Sequence, residues 1–264
     1  MDFPRSDGLH VAATAFDVDS GEVLFGHEPE RVLRTASIGK LFLLHAVLDL
    51  AGRGELDLEE RVPRRPSDGV EDSGLWYLLE ADALSIYDLC ALVGAASDNL
   101  ATNVLVRRLG LASVHRSTEA IGIRDSALHD VVRSERTRYG AATLSSGTAS
   151  ELAGFVARVA RRELLTPEAC DVLRRWLGGG MDLSMVPAPL GLDPLAHDGF
   201  DRGLWLWNKT GTTSVIRGDV GVLSSRERRV AYAVLVNWDD GDRRDEAFEV
   251  MHAAGRELRA YVAA

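Results

Sequence analysis

Two lysines stand out in this chain of 264 residues. Of its 30 basic side chains only Lys40 and Lys209 are lysines; the other 28 are arginines. An arginine serves wherever a permanent cation is enough, whereas a lysine amine can give up its proton when it is desolvated. Lys40 closes the stretch Thr35-Ala36-Ser37-Ile38-Gly39-Lys40, which leads into an apolar run. If Ser37 opens a helix, the residue three positions on shares its face, and the amine lies beside the Ser37 hydroxyl. A serine hydroxyl is a poor nucleophile until a base takes its proton. An amine in a partly dry site near other cations can be that base. The helix start adds N–H groups and partial positive charge where an oxyanion would form. Taken alone, this spacing equally suits a capping serine followed by a surface lysine.

Two further stretches carry candidate chemistry. Ser97-Asp98-Asn99 lies between two helical patterns, and Lys209-Thr210-Gly211 follows a strand-like run. Each has a plain structural alternative. Ser, Asp and Asn all cap helices, and a strand commonly ends at a Gly turn.

The elements that must position these groups follow from periodicity. Leu9 to Val18 reads as a strand, Asp19-Ser20-Gly21 as a turn and Glu22 to Phe25 as the returning strand. Ser37 to Leu50 reads as an apolar helix ending near Gly52, and 54–74 as loop, with Pro63, Pro66 and Gly69. Helical spacing recurs over Ile86 to Ala96, Asn99 to Leu109, Ser113 to Ile121, Ala149 to Leu164 and Pro167 to Leu177. The polar stretch 122–147 has little periodicity, and a loop of that length in a compact domain usually serves function. Leu204 to Asn208, Asp219 to Ser224 and Val230 to Trp238 read as strands, and Asp245 to Val262 as a closing amphipathic helix. The expected class is α/β (α+β). An antiparallel sheet built from 1–51 and 200–264 is flanked by the terminal helices, and 52–199 forms an inserted all-helical domain.

The three motifs in this order, Ser-x-x-Lys, Ser-Asp-Asn and Lys-Thr-Gly, resemble the signature set of class A β-lactamases and penicillin-binding proteins. The resemblance spans nearly the whole chain. It implies a β-lactamase/transpeptidase-like fold and a serine hydrolase that forms an acyl-enzyme on Ser37. It implies Lys40 as general base or relay and Ser97 as proton shuttle to the leaving nitrogen. Asn99 would hold the substrate's amide side chain, and Lys209, Thr210 and Gly211 would meet its carboxylate. Backbone N–H groups of Ser37 and Thr212 would form the oxyanion hole. Asn103 matches a supporting asparagine, and Arg217 adds charge for the carboxylate. Trp76 and Tyr77 fall where the family has a cleft wall; a core role suits either equally well.

The sequence departs from the family in one place. Class A enzymes carry Glu-x-x-Leu-Asn on the long loop, and that glutamate activates the deacylating water. Here the loop reads Leu128-His129-Asp130-Val131-Val132-Arg133-Ser134-Glu135-Arg136-Thr137-Arg138. Counting back from the helix start Gly147-Thr148-Ala149-Ser150 lands on Arg133. Glu135 is the candidate loop carboxylate and Asp130 is close by, but neither has the motif's neighbours. Two other readings stand beside a β-lactamase: a penicillin-binding-type peptidase, esterase or acyltransferase with slow deacylation, and a non-enzymatic β-lactam sensor.

Composition narrows the partners. A net charge of -10 and scattered arginines disfavour nucleic acid. The longest apolar stretch, Leu41 to Leu50, is too short and polar to span a bilayer. Met1 to Asp7 lacks a basic and then apolar leader, which points to a cytoplasmic chain as numbered, or an exported one if a leader was removed. Cys90 and Cys170 read as small buried hydrophobes, since the position pairing with Cys90 in some class A enzymes falls near Leu44. His45, His129 and His197 lack ligand spacing, so neither a metal nor a cofactor is expected. The expected partner is a small β-lactam, amide or ester, and the expected state a monomer.

Overall fold

The computed structural model describes residues 7–70, 73–135, 140–197 and 199–263. The chain begins with β1 (Leu9–Asp17), β2 (Val23–His27) and β3 (Leu33–Arg34). A 3-10 turn over Ala36–Gly39 leads into α1 (Lys40–Gly52). The next segment holds β4 (Arg61–Pro63), β5 (Ala83–Ser85), α2 (Ile86–Ala96), α3 (Asn99–Leu109) and α4 (Leu111–Ala120). Then follow β6 (Ala127–Leu128), β7 (Ser145–Gly147), α5 (Ala149–Ala160) and α6 (Pro167–Gly178). The chain closes with β8 (Trp205–Thr213), β9 (Ile216–Ser224), β10 (Arg229–Trp238) and α7 (Arg244–Ala263).

The main sheet has the order β2-β1-β10-β9-β8, so strands from both ends of the chain meet at its centre. β1 and β10 pair antiparallel from Leu9↔Trp238 to Asp17↔Val230. The strand period of two sorts β10 onto two cores. Ala231, Ala233 and Leu235 join the core shared with the helices. Val230, Tyr232, Val234, Val236 and Trp238 join the core beneath α7. Each fully buried Val or Leu contributes about 1.5–3 kcal/mol relative to exposure.

The mixed class and the antiparallel sheet agree with the sequence. α5, from the inserted segment, packs on β10, β9 and β1, so it covers the sheet face opposite α7. α1 sits among α4, α3, α6 and α2. Its residues Leu41 to Leu48 are all buried, as befits a helix that is apolar on every side. Side-chain caps fix the helix starts: Ser85 on α2, Asp98 on α3, Thr148 on α5 and Thr166 on α6 each accept a backbone N–H one turn on.

Three local readings need correction. Ser37 lies in the 3-10 turn, and the α-helix begins at Lys40. Lys209-Thr210-Gly211 lies inside β8 rather than past its end. The stretch 122–147 is not structureless, because β7 pairs with both β6 and β3 in a small sheet of order β3-β7-β6. That sheet ties the long loop to the strand just before Ser37. Short strands of two or three residues leave too little periodicity to be read from sequence. Arg136, Thr137 and Arg138 lie outside the described residues, as do Met1 to Ser6.

One close contact tests how α7 is seated. A Cβ on Gly255 would lie 2.0 Å from the carbonyl oxygen of Val186. Gly255→Ala gains about 1 kcal/mol of helix propensity, while forcing backbone apart costs about 1–3 kcal/mol. Since the contact is with backbone only 2.0 Å away, the upper part of that cost applies and the expected net is a loss of up to about 2 kcal/mol, seen as a lower urea midpoint at unchanged m-value.

Candidate active site

The turn bearing Ser37 is held from several sides. Thr35 N–H donates to the Ser145 carbonyl (3.1 Å), and Ile38 N–H to that of Thr35 (3.1 Å). The Ser145 hydroxyl bonds the Thr35 hydroxyl (2.7 Å) and donates to the Ala36 carbonyl (2.5 Å). Gly39 permits this approach, since a Cβ there would lie 2.3 Å from Ser145 Cβ. Ala36, immediately before the nucleophile candidate, has φ +49°, a left-handed conformation uncommon for a residue with a side chain. Such strain costs on the order of 1–3 kcal/mol and persists only where the surroundings impose it.

Lys40 is fully buried. Its ammonium donates to the Ser97 carbonyl (2.6 Å), to Asn99 Oδ1 (2.8 Å) and, more distantly, to the Ser97 hydroxyl (3.4 Å). Burial pushes its pKa well below the usual lysine value, and the charge of Lys209 pushes it further. Asp98 acts in the opposite direction. The Asp98 carboxylate is already engaged by three backbone N–H groups, those of Leu75 (2.7 Å), Trp76 (2.9 Å) and Ala101 (2.8 Å). Ser97, which ends α2, is a second left-handed residue at φ +53°. That backbone turn lets its carbonyl and hydroxyl both face the Lys40 amine.

β8 is the terminal strand of the main sheet and forms one wall. Gly211 brings it against the Ser37 turn: a Cβ there would lie 2.2 Å from the Thr35 carbonyl oxygen. As an edge strand it keeps backbone N–H groups that the sheet does not use, and the 3-10 turn likewise leaves its first N–H groups without intrahelical partners. Lys209 is buried and donates to the Thr210 carbonyl (3.0 Å). Burial lowers its pKa to about 8, while Asp182 and Asp219 support its charge. Asp219 is itself buried, bonded to Asn208, Tyr232 and the Val186 N–H, and burial raises it to about 7.

These walls enclose a cleft of about 960 Å³. Ser37, Ser97, Asn99, Lys209, Thr210 and Thr212 line it, and Lys40 lies buried behind its hydroxyls. Asn103 supports it from outside. Its side chain bonds both the N–H (2.8 Å) and the carbonyl (3.0 Å) of Val132, and also donates to the Asp68 carbonyl (3.2 Å). The next loop residue, Arg133, lines the cleft and pairs with Asp130 at 2.8 Å. Glu135 is exposed and is not among the lining residues. Arg217 is not brought to the cleft either. It donates to the carbonyls of Thr213 and Ile216, and its guanidinium lies over Trp238 and Phe248 on the α7 side. Trp76 is buried core, while Tyr77 is exposed.

Sequence reasoning missed four contributors. Ser145 braces the nucleophile turn, Asn237 clamps the backbone of Arg34, and Arg34 and Asp182 line the cleft. Ser145, Asn237 and Arg34 lie far from the motifs or have common residue types, so no spacing marks them. Asp182 follows the Gly178-Gly179-Gly180 run, which was a visible sign of close packing. His45 is a core residue bonded to Ser117, with a pKa lowered by burial to about 4.

A model of the beta-lactamase enzyme family matches residues 4–262. No curated protein matches the chain in sequence. Among solved structures, a β-lactamase from Sphaerobacter thermophilus superposes with a TM-score of 0.83 at 24% identity, covering 97% of this chain and 92% of that one. A class A β-lactamase from Mycobacterium abscessus gives 0.79 at 22%, covering 97% and 95%. A mutant of PBP-A, described as an acyl-enzyme complex with penicillin G, gives 0.80 at 22%, covering 98% and 93%. At these identities the structures show a shared fold.

The Asn103 anchor generates a prediction. Asn103→Ala leaves the half-buried Val132 peptide without these partners, and a lost hydrogen bond of this kind costs about 0.5–1.5 kcal/mol. Global stability is expected to fall by that order in urea titration. Hydrogen exchange at Val132 is expected to accelerate beyond that at α3. Unchanged exchange there would show that the loop does not depend on this side chain.

Proposed function

The chain belongs to the β-lactamase enzyme family, and we propose that it is a serine acyl-transfer hydrolase in which Ser37 takes the acyl group of a β-lactam or related amide or ester. The observation that carries this reading is the fully buried Lys40 amine, bonded to Ser97 and Asn99 behind a cleft that Ser37 lines. A neutral amine has two hydrogens, enough for the Ser97 carbonyl and Asn99 Oδ1. Its lone pair then takes the place of the third and weakest bond, facing hydroxyl.

Lys40 accepts the Ser37 hydroxyl proton as Oγ attacks the substrate carbonyl carbon. The oxygen that becomes negative is met by backbone N–H groups of Ser37 and Thr212. The Ser97 hydroxyl passes its proton to the leaving nitrogen as the C–N bond breaks. It regains one from the Lys40 ammonium, 3.4 Å away. Lys209 and Thr210 meet a carboxylate on the leaving side of the substrate. Lys209 also helps to keep Lys40 neutral, because its charge disfavours a second ammonium nearby.

Hydrolysis of the acyl-enzyme needs a base for water. Among the described residues, those of the long loop that line the cleft are Val132, Arg133, Ser134, Ala142, Thr143 and Leu144, and none is a carboxylate. Loss of one general base typically costs about 10²–10⁴-fold. This favours a long-lived acyl-enzyme with β-lactams. It also supports a second reading, a penicillin-binding-type peptidase or acyltransferase that passes the acyl group to another acceptor.

Burst kinetics with a chromogenic cephalosporin, followed by intact mass, tests acylation and breakdown separately. One equivalent of adduct on Ser37 is expected, decaying slowly. Ser37→Ala is expected to give no adduct, and Lys40→Arg to slow acylation by about 10²–10⁴-fold, since a guanidinium does not deprotonate. No adduct in the wild-type protein with any β-lactam or activated ester would sink the reading.

The two lysines also set a pH dependence. Acylation by a carboxylate-bearing substrate is expected to rise with pH as Lys40 loses its proton. It is expected to fall above about 8, where Lys209 loses the charge that binds the carboxylate. An activated ester without a carboxylate is expected to lack the alkaline limb. An identical limb for both probes would assign it to another group.

A further inference from the structure

We propose that Arg34 is a specificity residue for a second anionic group, carried on the acyl side of the substrate. This rests on the reading of Ser37 as the acylated residue. Arg34 is half-buried on β3 and lines the cleft three residues before Ser37. Its backbone is fixed. The buried Asn237 accepts from the Arg34 N–H (2.9 Å) and donates to its carbonyl (2.9 Å), while β3 pairs with β7 at Arg34↔Ser146. The guanidinium donates to the Trp238 carbonyl at 3.4 Å, which leaves most of its N–H groups for a ligand.

The charge pattern singles it out. Three cations line the cleft among the described residues: Arg34, Arg133 and Lys209. Arg133 is paired with Asp130, and Lys209 has Asp182 and Asp219 near it. Arg34 forms no ion pair among the described residues. A guanidinium on a fixed backbone, without an ion-pair partner among the described residues and lining a cleft, fits a carboxylate, which it can bind through two parallel N–H groups.

Position assigns that carboxylate to the acyl side. The leaving group must lie toward Ser97 and Lys209. Arg34 lies toward the opposite end of β8: its partner Trp238 bonds the Val215 carbonyl in the β8–β9 turn (3.1 Å), and Thr213 and Ser214 beside that turn line the cleft. The rise from Lys209 to Thr213 is about 13 Å, and Gly211, against the Ser37 turn, lies between them. A substrate with carboxylates on both sides of its scissile bond spans the two cations, with its reacting carbonyl at Ser37.

Two penicillins on one nucleus test this, one with an adipoyl side chain ending in a carboxylate and one with a hexanoyl side chain of equal length. The readout is the ratio of their second-order rate constants for the Ser37 adduct, measured by intact mass at low ionic strength. Wild-type protein is expected to favour the adipoyl compound by about fivefold, and added salt is expected to shrink the ratio. Arg34→Gln is expected to bring the ratio close to one, and Arg34→Lys to retain part of it. No preference in the wild type, or an undiminished ratio in Arg34→Gln, overturns the assignment while Ser37 stands. Failure of both probes to acylate Ser37 overturns the underlying reading, and this inference with it.

Discussion

A lysine amine with no exposure to water is the constraint to which the rest of this site answers. Burial alone disfavours the ammonium, and nearby Lys209 disfavours it further. The nearest counterweight, Asp98, is arranged so as not to defeat this. Its carboxylate oxygens are taken up by the N–H groups of Leu75, Trp76 and Ala101. A buried carboxylate bonded directly to Lys40 would hold the amine charged and idle. Here the same carboxylate caps α3, anchors the segment before Trp76 and acts on Lys40 only through space. The contacts that Lys40 does make are to neutral oxygens of Ser97 and Asn99, which accept from either protonation state.

Holding these groups together requires backbone that would not adopt its shape unaided. Ala36 and Ser97, which both line the cleft, have left-handed conformations. Each is imposed by well-packed surroundings: Ser145 and Gly39 brace the first, while the α2–α3 junction and the Asp98 cap fix the second. Gly211 then lets β8 close on the Ser37 turn. Strain on the order of 1–3 kcal/mol per residue is small beside the two large cores against which these elements pack.

The sequence made the chemistry more legible than its scaffold. Lys40 and Lys209 were conspicuous because every other cation is arginine, and the three motifs fixed Ser37, Ser97 and Asn99 by residue type and order. The long helices and the strands of the main sheet were readable from their periods. The braces were not. Ser145 and Asn237 are ordinary residues more than 100 positions from the turn they hold, and only tertiary contact gives them meaning. Arg217 illustrates the converse. Its charge and nearness to Lys-Thr-Gly suggested the cleft, but the alternation of strand faces sends it toward Trp238 and Phe248. Two-residue strands such as β3 and β6 gain their pairing from the fold rather than from their own pattern.

The loop shows how such a site can keep one half of its chemistry independent of the other. Asn103 holds Val132 through the backbone N–H and carbonyl, not through a side chain. It therefore fixes the path of the loop whatever residues the loop carries. The groups proposed to carry acylation stand on the 3-10 turn, α1, the α2–α3 junction and β8, all outside the segment 132–135. A loop without Glu-x-x-Leu-Asn is consequently compatible with an intact cleft and an intact Lys40. What the loop contributes at Arg133 is a cation already paired with Asp130, rather than a base. The cleft thus combines the groups proposed for making an acyl-enzyme with a loop whose described lining residues are neutral or cationic.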